Sequence, residues 1–528
     1  MFYKNYWVKF FLTVSLGGLL ALFWSCATVA ENVIVTDDTL GPETSQRERI
    51  GSTTDFIRGG ATRESNLFHS FLEFNISEIG QVYFESPDGI ENIFSRVTGS
   101  NPSNILGTLG VDGTANLFLI NPNGISFGEN ANLDVDGSFF ATTADAIQLG
   151  DQGLFSATEP ENSSLLTVRP SAFLFSQAAN QSSSSIQNQA TLAVQPNQNL
   201  FLVGGEIVLN GGRLNAPDGR IELASVTRDE TVDLLFDAGV ASLGFLNNVS
   251  KADVSLLNGS QVDVRGTGSG SIAINARNVE ISGISQLFSG INTSPSNNDN
   301  QPGDILINAT ESIVLTDAVR VSGDWNRSSI SNTIAEEVEV EGSDNLIEGG
   351  NIRIAARSIQ VTEGAEVVAS TFGEGGKTGD IIIEAVDSFH FEGGVEDNQS
   401  FASSRILNRV ENGAIGQSGT VDITVGNGVF LIANGAILSV STFSQGNSGN
   451  IIIEAEGPLV LSGLGPDNFG GIYNQVLPDA VGEGGDIIIS AESLSVIDGA
   501  VINQNTRGQG NGGSVDINTR SFVSVRGV

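Results

Sequence analysis

Residues 350–371 read GNIRIAARSIQVTEGAEVVAST, and this stretch decides the fold. Gly350 opens it, Ile352 and Ile354 alternate with Arg353 and Ala355, Ile359 and Val361 repeat the alternation, and Gly364-Ala365 opens a third run through Val367. Alternation at period two marks strands with one buried face, and glycine between the runs marks corners. The same opening returns at Gly270-Ser271-Ile272, Gly303-Asp304-Ile305, Gly379-Asp380-Ile381, Gly419-Thr420-Val421, Gly449-Asn450-Ile451, Gly485-Asp486-Ile487 and Gly513-Ser514-Val515. Successive spacings of 33, 47, 29, 40, 30, 36 and 28 fit a basic period near 28 to 30 with insertions in some turns.

Three short strands per unit, with glycine corners, predict one coil of a right-handed parallel β-helix, an all-β solenoid whose inward Ile and Val side chains form a continuous core. Ser493-Leu494-Ser495-Val496 and Gly499-Ala500-Val501-Ile502 show the second and third strands of a later coil. A β-propeller blade would need about 40 residues and four antiparallel strands, and a calcium-binding β-roll would need a nonapeptide register. Glycine tracts such as Gly373-Glu374-Gly375-Gly376 recur once per coil and read as loops. In the N-terminal third, Phe68, Ser70, Leu72, Phe74 and Ile76 fall on one strand face, with Val82 and Phe84 continuing after a turn. An uncovered first coil would expose strand edges, so part of residues 31–100 is expected to cap it.

The chain has 528 residues, 61 acidic against 24 basic, for a net charge of −37. Such charge repels nucleic acid and anionic membranes. With 40% hydrophobic and 16% charged residues the chain has enough apolar surface to order. Lys4 and Lys9 precede an apolar run from Phe10 to Trp24, and Ala27 or Ala30 offers a small-residue exit, so residues 1–30 read as a signal peptide removed on export. The run is too short for a spanning helix, which needs about 20 apolar residues, so no stable membrane span is expected after cleavage. Cys26 is the sole cysteine, and bulky Phe23-Trp24-Ser25 before it disfavours lipidation. The mature chain therefore lacks cystines, as suits passage through an oxidising compartment in an unfolded state.

No catalytic constellation emerges. His69 and His390 both sit in strand-like, aromatic contexts, no metal site is expected without cysteines or a histidine pair, and no phosphate-cradling GxxxxGK[ST] occurs. Asp380 and Asp486 recur at corners, which points to turn-making; no catalytic residue and no cofactor is assigned, and the chain is not read as an enzyme.

One turn stands apart. Asn121-Pro122-Asn123-Gly124-Ile125 lies between two strand signals, where proline presets φ and Asn-Gly accepts positive φ. It belongs to residues 101–144, NPSNILGTLGVDGTANLFLINPNGISFGENANLDVDGSFFATTA. With Gly59-Gly60, the Asn66 to Phe71 run NLFHSF, Ile90-Glu91-Asn92-Ile93, Arg96-Val97-Thr98-Gly99 and the Gly219 to Val226 run GRIELASV, this stretch resembles the secretion domain of two-partner-secreted exoproteins of the filamentous haemagglutinin type, and its wording is similar to cyanobacterial members. The resemblance runs from about Asn32 to Val226. Many members carry a second, NPNL-type motif; here Val168-Arg169-Pro170-Ser171-Ala172-Phe173 stands near its place, with Arg169 where an Asn would be expected, so only the first motif is carried over.

The resemblance implies a signal peptide (1–30), a capped secretion domain (31–250) and a β-helical shaft (251–528). It also implies Sec export, recognition of the secretion domain by a partner outer-membrane β-barrel transporter, and folding outside the cell. Residues Asn121 to Ile125 are the secretion motif on this reading. Secretion or cell-surface display as an adhesin, with a host, cell-surface or polysaccharide ligand, is the expected role. A secreted β-helical polysaccharide-degrading enzyme is the alternative. A contact-dependent toxin is disfavoured, because the sequence ends within a repeat at Val528.

Overall fold

The computed structural model describes residues 31–527, apart from 166, 177–183, 228, 238–239, 246–248, 269, 295–302, 339–346, 398–399, 464 and 466–469. The expected signal segment therefore lies outside the described residues. Among those described, no helix is long and apolar enough to cross a membrane.

Residues 31–528 form one compact unit, a parallel β-helix. The eight glycine-led openings stack in register: Ile272 pairs with Ile305, then Ile352, Ile381, Val421, Ile451, Ile487 and Val515, every step parallel. From Thr191–Ala193 onward the third strand of each coil contributes to a ten-stranded parallel sheet that ends at Val501–Thr506. Inward residues such as Ile352, Ile354, Ile359 and Val367 are buried, and a single apolar cluster extends from Ile34 to Val496. Two details differ from the sequence expectation. In several coils the first two strands fuse into one, as in Ile352–Val361, with an irregularity between Ala356 and Ser358 in place of a corner. The tract at Gly373–Gly376 is not wholly loop: Glu374–Lys377 is a strand between Ile347–Glu348 and Ile415–Gln417, because neighbouring coils supply its backbone partners.

The corner glycines are required by close approach. A Cβ on Gly379 would lie 2.1 Å from the carbonyl oxygen of Gly350, one on Gly419 2.3 Å from that of Gly379, and one on Gly449 2.2 Å from that of Gly419. The residue after each glycine completes the corner. The Asp304 carboxylate accepts from the Asn351 N–H (2.7 Å), Asn351 Oδ1 from the Asp380 N–H (2.8 Å), and Asp380 Oδ1 from the Thr420 N–H (2.7 Å). Inside, Asn332, Asn408 and Asn474 alternate along the stack with Ala369 and Val440, and their amides donate to the carbonyls of Gly303, Gly379 and Gly449. The corner acids thus carry a structural role repeated from coil to coil.

The long spacings hold insertions. Hairpin Ala318–Val321/Asp324–Arg327 fills the 47-residue spacing and hairpin Gly394–Glu396/Phe401–Ser403 the 40-residue one. The two are joined by an Arg320–Asp397 ion pair (3.0 Å) and by the Trp325 indole donating to Ser400 Oγ (3.0 Å).

At the N-terminal end, Asn66–Asn75 pairs in parallel with Asn92–Val97 on one side. Its other edge is occupied by antiparallel Val33–Thr36 and Ala61–Arg63, while Ser45–Ile50 lies antiparallel on Thr54–Gly59. The single-face reading of residues 68–76 is overturned. Leu72 is an extra residue between the pairs Thr36–Phe71 and Val35–Glu73, so Phe68 packs outside the coil whereas Phe74 and Ile76 face its core. A bulge shifts the period-two pattern by one residue and thereby exchanges faces. Stacking then continues through residues 250–251, with Ile207–Asn210 on Val254–Leu257 and the latter on Ser271–Ile281.

The glycine contacts give a test of this coil spacing. Gly449→Ala should lower stability by about 1–3 kcal/mol, as overpacking does, read as a reduced denaturant midpoint. An unchanged midpoint would show that adjacent coils can separate to admit a methyl group.

Candidate functional site

The Asn121–Ile125 turn joins strands Asn116–Ile120 and Ile125–Phe127. Gly124 N–H donates to the Asn121 carbonyl (3.1 Å), closing the turn, and Gly124 has φ +119°, a conformation that L side chains rarely adopt. Asn121 is fully buried. Its Oδ1 accepts from the Asn123 N–H (2.9 Å) and Nδ2 (3.1 Å), and its Nδ2 donates to the Asn101 carbonyl and Ser103 Oγ, both at 3.0 Å. Asn123 is half-buried, and its Nδ2 reaches the Gly99 carbonyl at 2.8 Å. The bonds to Gly99, Asn101 and Ser103 go to the preceding coil. Toward the following one, Asn121 N–H donates to the Thr142 carbonyl (3.0 Å), Ile125 N–H to the Ser185 carbonyl (3.1 Å), and Ser184 Oγ to the Pro122 carbonyl. The motif is thus an internal fastener across three layers, with only Asn123 partly open to solvent. Most of the side-chain amide bonds are long-range, to Gly99, Asn101 and Ser103, and not local to the turn.

Two further elements surround it. The outward residues Phe68, Phe94, Phe118, Phe140 and Phe201 stand one above another in strand register. Ring centroids are 5.0 Å apart for Phe68–Phe94, 4.7 Å for Phe94–Phe118 and 4.2 Å for Phe118–Phe140. A five-stranded antiparallel sheet, with Pro170–Phe175 and Glu230–Asp237 among its strands, covers this ladder through Ile147, Phe155, Phe173 and Val232. The sequence signal for it was the recurrence of Phe at intervals of 26, 24 and 22 residues from Phe68 to Phe140, a coil-length period.

Beside the ladder Arg96 is fully buried. Its guanidinium donates to Ser70 Oγ (2.8 Å), the Ser156 carbonyl (2.7 Å), Ser163 Oγ (2.6 Å) and Thr39 Oγ1 (2.7 Å), and lies 4.5 Å from the centroid of Phe155. Burial pulls this group down to about 10, against the pull of Asp37 and Glu161, so it stays charged near neutrality. Asp37 accepts from Ser70 Oγ (2.8 Å) and Thr98 Oγ1 (2.6 Å). One buried cation thereby holds the N-terminal edge, the coil and the covering sheet together. A lone Arg in a strand gives no sequence signal for such a role.

The histidines are not brought together. His69 is fully buried in Asn66–Asn75 against Phe84 (5.2 Å), with Nδ1 3.1 Å from Ser45 Oγ, whereas His390 lies in Ile381–Glu392, half-exposed, 3.4 Å from Glu392. Among the described residues, no group of three His, Cys, Asp or Glu is placed to hold a metal ion.

Residues 32–274 match the family described as TPS secretion domain, and this part of the chain is such a domain. Over 80 residues, 15% of the chain, it is 38% identical to the Heme/hemopexin-binding protein of Haemophilus influenzae, of whose length the match covers 8%. Among solved structures, it is similar to the HMW1 secretion domain from Haemophilus influenzae, with 16% identity, 94% of this chain and 100% of that one covered, and a TM-score of 0.47. It is also similar to a filamentous hemagglutinin secretion domain, with 13% identity, 81% and 96% coverage, and a TM-score of 0.25.

Burial pulls the His69 imidazole down to about 3 from an ordinary 6.5. The unfolded chain therefore binds a proton at His69 that the folded chain excludes, and stability falls as pH drops below 6.5. Between pH 6.5 and 5 the expected loss at this residue approaches about 1.4 kcal/mol per pH unit. His69→Asn should flatten that slope in denaturant titrations; an equal slope in both proteins would assign it to other groups.

Proposed function

We propose that this chain is an exoprotein of the two-partner secretion class, carried by Sec export to the periplasm and across the outer membrane by a dedicated β-barrel transporter. On this reading it is then released or displayed at the cell surface as an adhesin. The observation that carries the reading is the secretion domain over residues 32–274, continued without a break by stacked coils to Val525. The proposed division keeps a secretion domain to about residue 250 and a shaft from about 251, although the family match itself extends to residue 274. Coil-by-coil folding suits emergence from a pore, since each coil needs only its predecessor as a template. The family and the similar proteins are named for secretion or binding rather than for catalysis. The haem and hemopexin binding named for one relative is not carried over, because the match covers 15% of this chain. A host, cell-surface or polysaccharide ligand remains the proposed target class.

Within this reading Asn121 to Ile125 act by fastening the early coils. Asn121→Ala removes a buried amide and leaves its partners unsatisfied, a loss of about 1–3 kcal/mol. The Asn121→Ala, Asn123→Ala double variant, co-expressed with the transporter, should accumulate in the periplasm at the expense of extracellular protein. Normal extracellular yield would reduce the motif to an ordinary turn.

A further inference from the structure

Beside the aromatic ladder, at the start of its strands, lies an open cleft of about 270 Å³ lined in part by Asn92, Asn116, Asn199, Phe140, Phe236 and Arg169. Its wall is an amide ladder. Asn116 Nδ2 donates to Asn92 Oδ1 (3.0 Å), Asn92 Nδ2 to Asn66 Oδ1 (3.1 Å), and Asn116 Oδ1 accepts from the Ser138 N–H (2.8 Å). A primary amide offers two donor hydrogens and two acceptor lone pairs. The ladder engages one donor and one acceptor on Asn92 and on Asn116, so by count each amide retains one hydrogen and one lone pair for a ligand hydroxyl. Phe140 and half-buried Phe236 supply apolar surface. Exposed Arg169 lies 5.9 Å from the Phe236 ring centroid, and among the described residues no carboxylate forms an ion pair with it. Arg169 also stands at the position where the sequence departs from the NPNL-type motif.

We propose that this cleft binds a single hydroxyl-rich sugar ring. The amides of Asn92 and Asn116 take its hydroxyls, the aromatic surface takes its C–H face, and Arg169 donates to a hydroxyl or ring substituent at the rim. The volume, slightly below the usual range for drug-sized ligands, suits one ring rather than an extended chain. The test reads sugar binding by the folded chain alone, so its outcome is separate from that of the export reading.

The test is saturation-transfer NMR on the folded mature chain with methyl glucopyranoside, methyl galactopyranoside, N-acetylglucosamine and glucuronate, each titrated to about 20 mM, a range that captures weak single-ring affinities. Saturable binding of at least one sugar is expected. Arg169→Asn, at an exposed position, should weaken it at least tenfold without moving the melting midpoint; Phe236→Ala should also weaken it, with a lowered midpoint, because half-buried Phe236 packs on the outer apolar cluster. Absence of saturable binding by every sugar would overturn the proposal, as would equal binding by both variants. Saturable binding of inorganic phosphate with none of the sugars would also overturn it, reducing the cleft to an anion site at Arg169.

Discussion

Each coil satisfies its backbone on the coil before it, and the remainder of the molecule is arranged around that dependence. In a globular sheet a strand can be stabilised from either side, but here the polar ladder at the corners also points from one coil to the next: Asp304 to Asn351, Asn351 to Asp380, Asp380 to Thr420. The close glycine contacts fix the separation at which those bonds and the inward Ile and Val stacks can form together. Acidity is compatible with this geometry because several corner carboxylates accept backbone N–H groups, and the bond from Ser514 holds the Asp486 carboxyl below its usual range. A high negative charge thus coexists with a continuous apolar core.

The same dependence makes the first coil the weak point, for among the described residues no coil precedes it. Antiparallel strands at Val33–Thr36, Ser45–Ile50 and Ala61–Arg63 occupy its edges. Asn32 ties the start of this segment inward by donating to Asp55 Oδ2 (2.8 Å) and accepting from the Ser77 N–H (3.0 Å). Arg96 then fastens the segment to the covering sheet, and the Asn121 turn fastens the next layers to one another. Later coils inherit a template from the one before, while the first ones must create it.

This asymmetry also explains what could be read from sequence. The later coils are legible because one solution is repeated: Gly, a polar residue, then alternating β-branched residues, as at Gly379, Gly449 and Gly485. The N-terminal third repeats its Phe and Asn ladders but otherwise holds solutions that occur once. The Leu72 bulge reverses faces without a sequence mark, since a period-two count assumes no inserted residue. The role of Arg96 depends on residues 57 and 67 positions away, Thr39 and Ser163, which no local pattern relates. The turn at Asn121 was legible as a turn, but its burial and its bonds to Gly99, Asn101 and Ser103 follow from stacking and not from turn chemistry.

Burial of the motif constrains how it can serve export. Asn121 has no exposed surface in the folded domain, and Pro122, Gly124 and Ile125 are buried with it, so a transporter meeting the folded state could touch little beyond Asn123. Any effect of the motif must then pass through the unfolded chain, where the residues are accessible, or through the stability of the early coils. These routes predict different relations among variants. If stability carries the effect, losses of export should follow losses of folding free energy at Asn121, at Arg96 and at other fasteners alike. If the unfolded segment is read directly, changes at the motif should impair export more than equally destabilising changes at Arg96, whose bonds lie outside the motif.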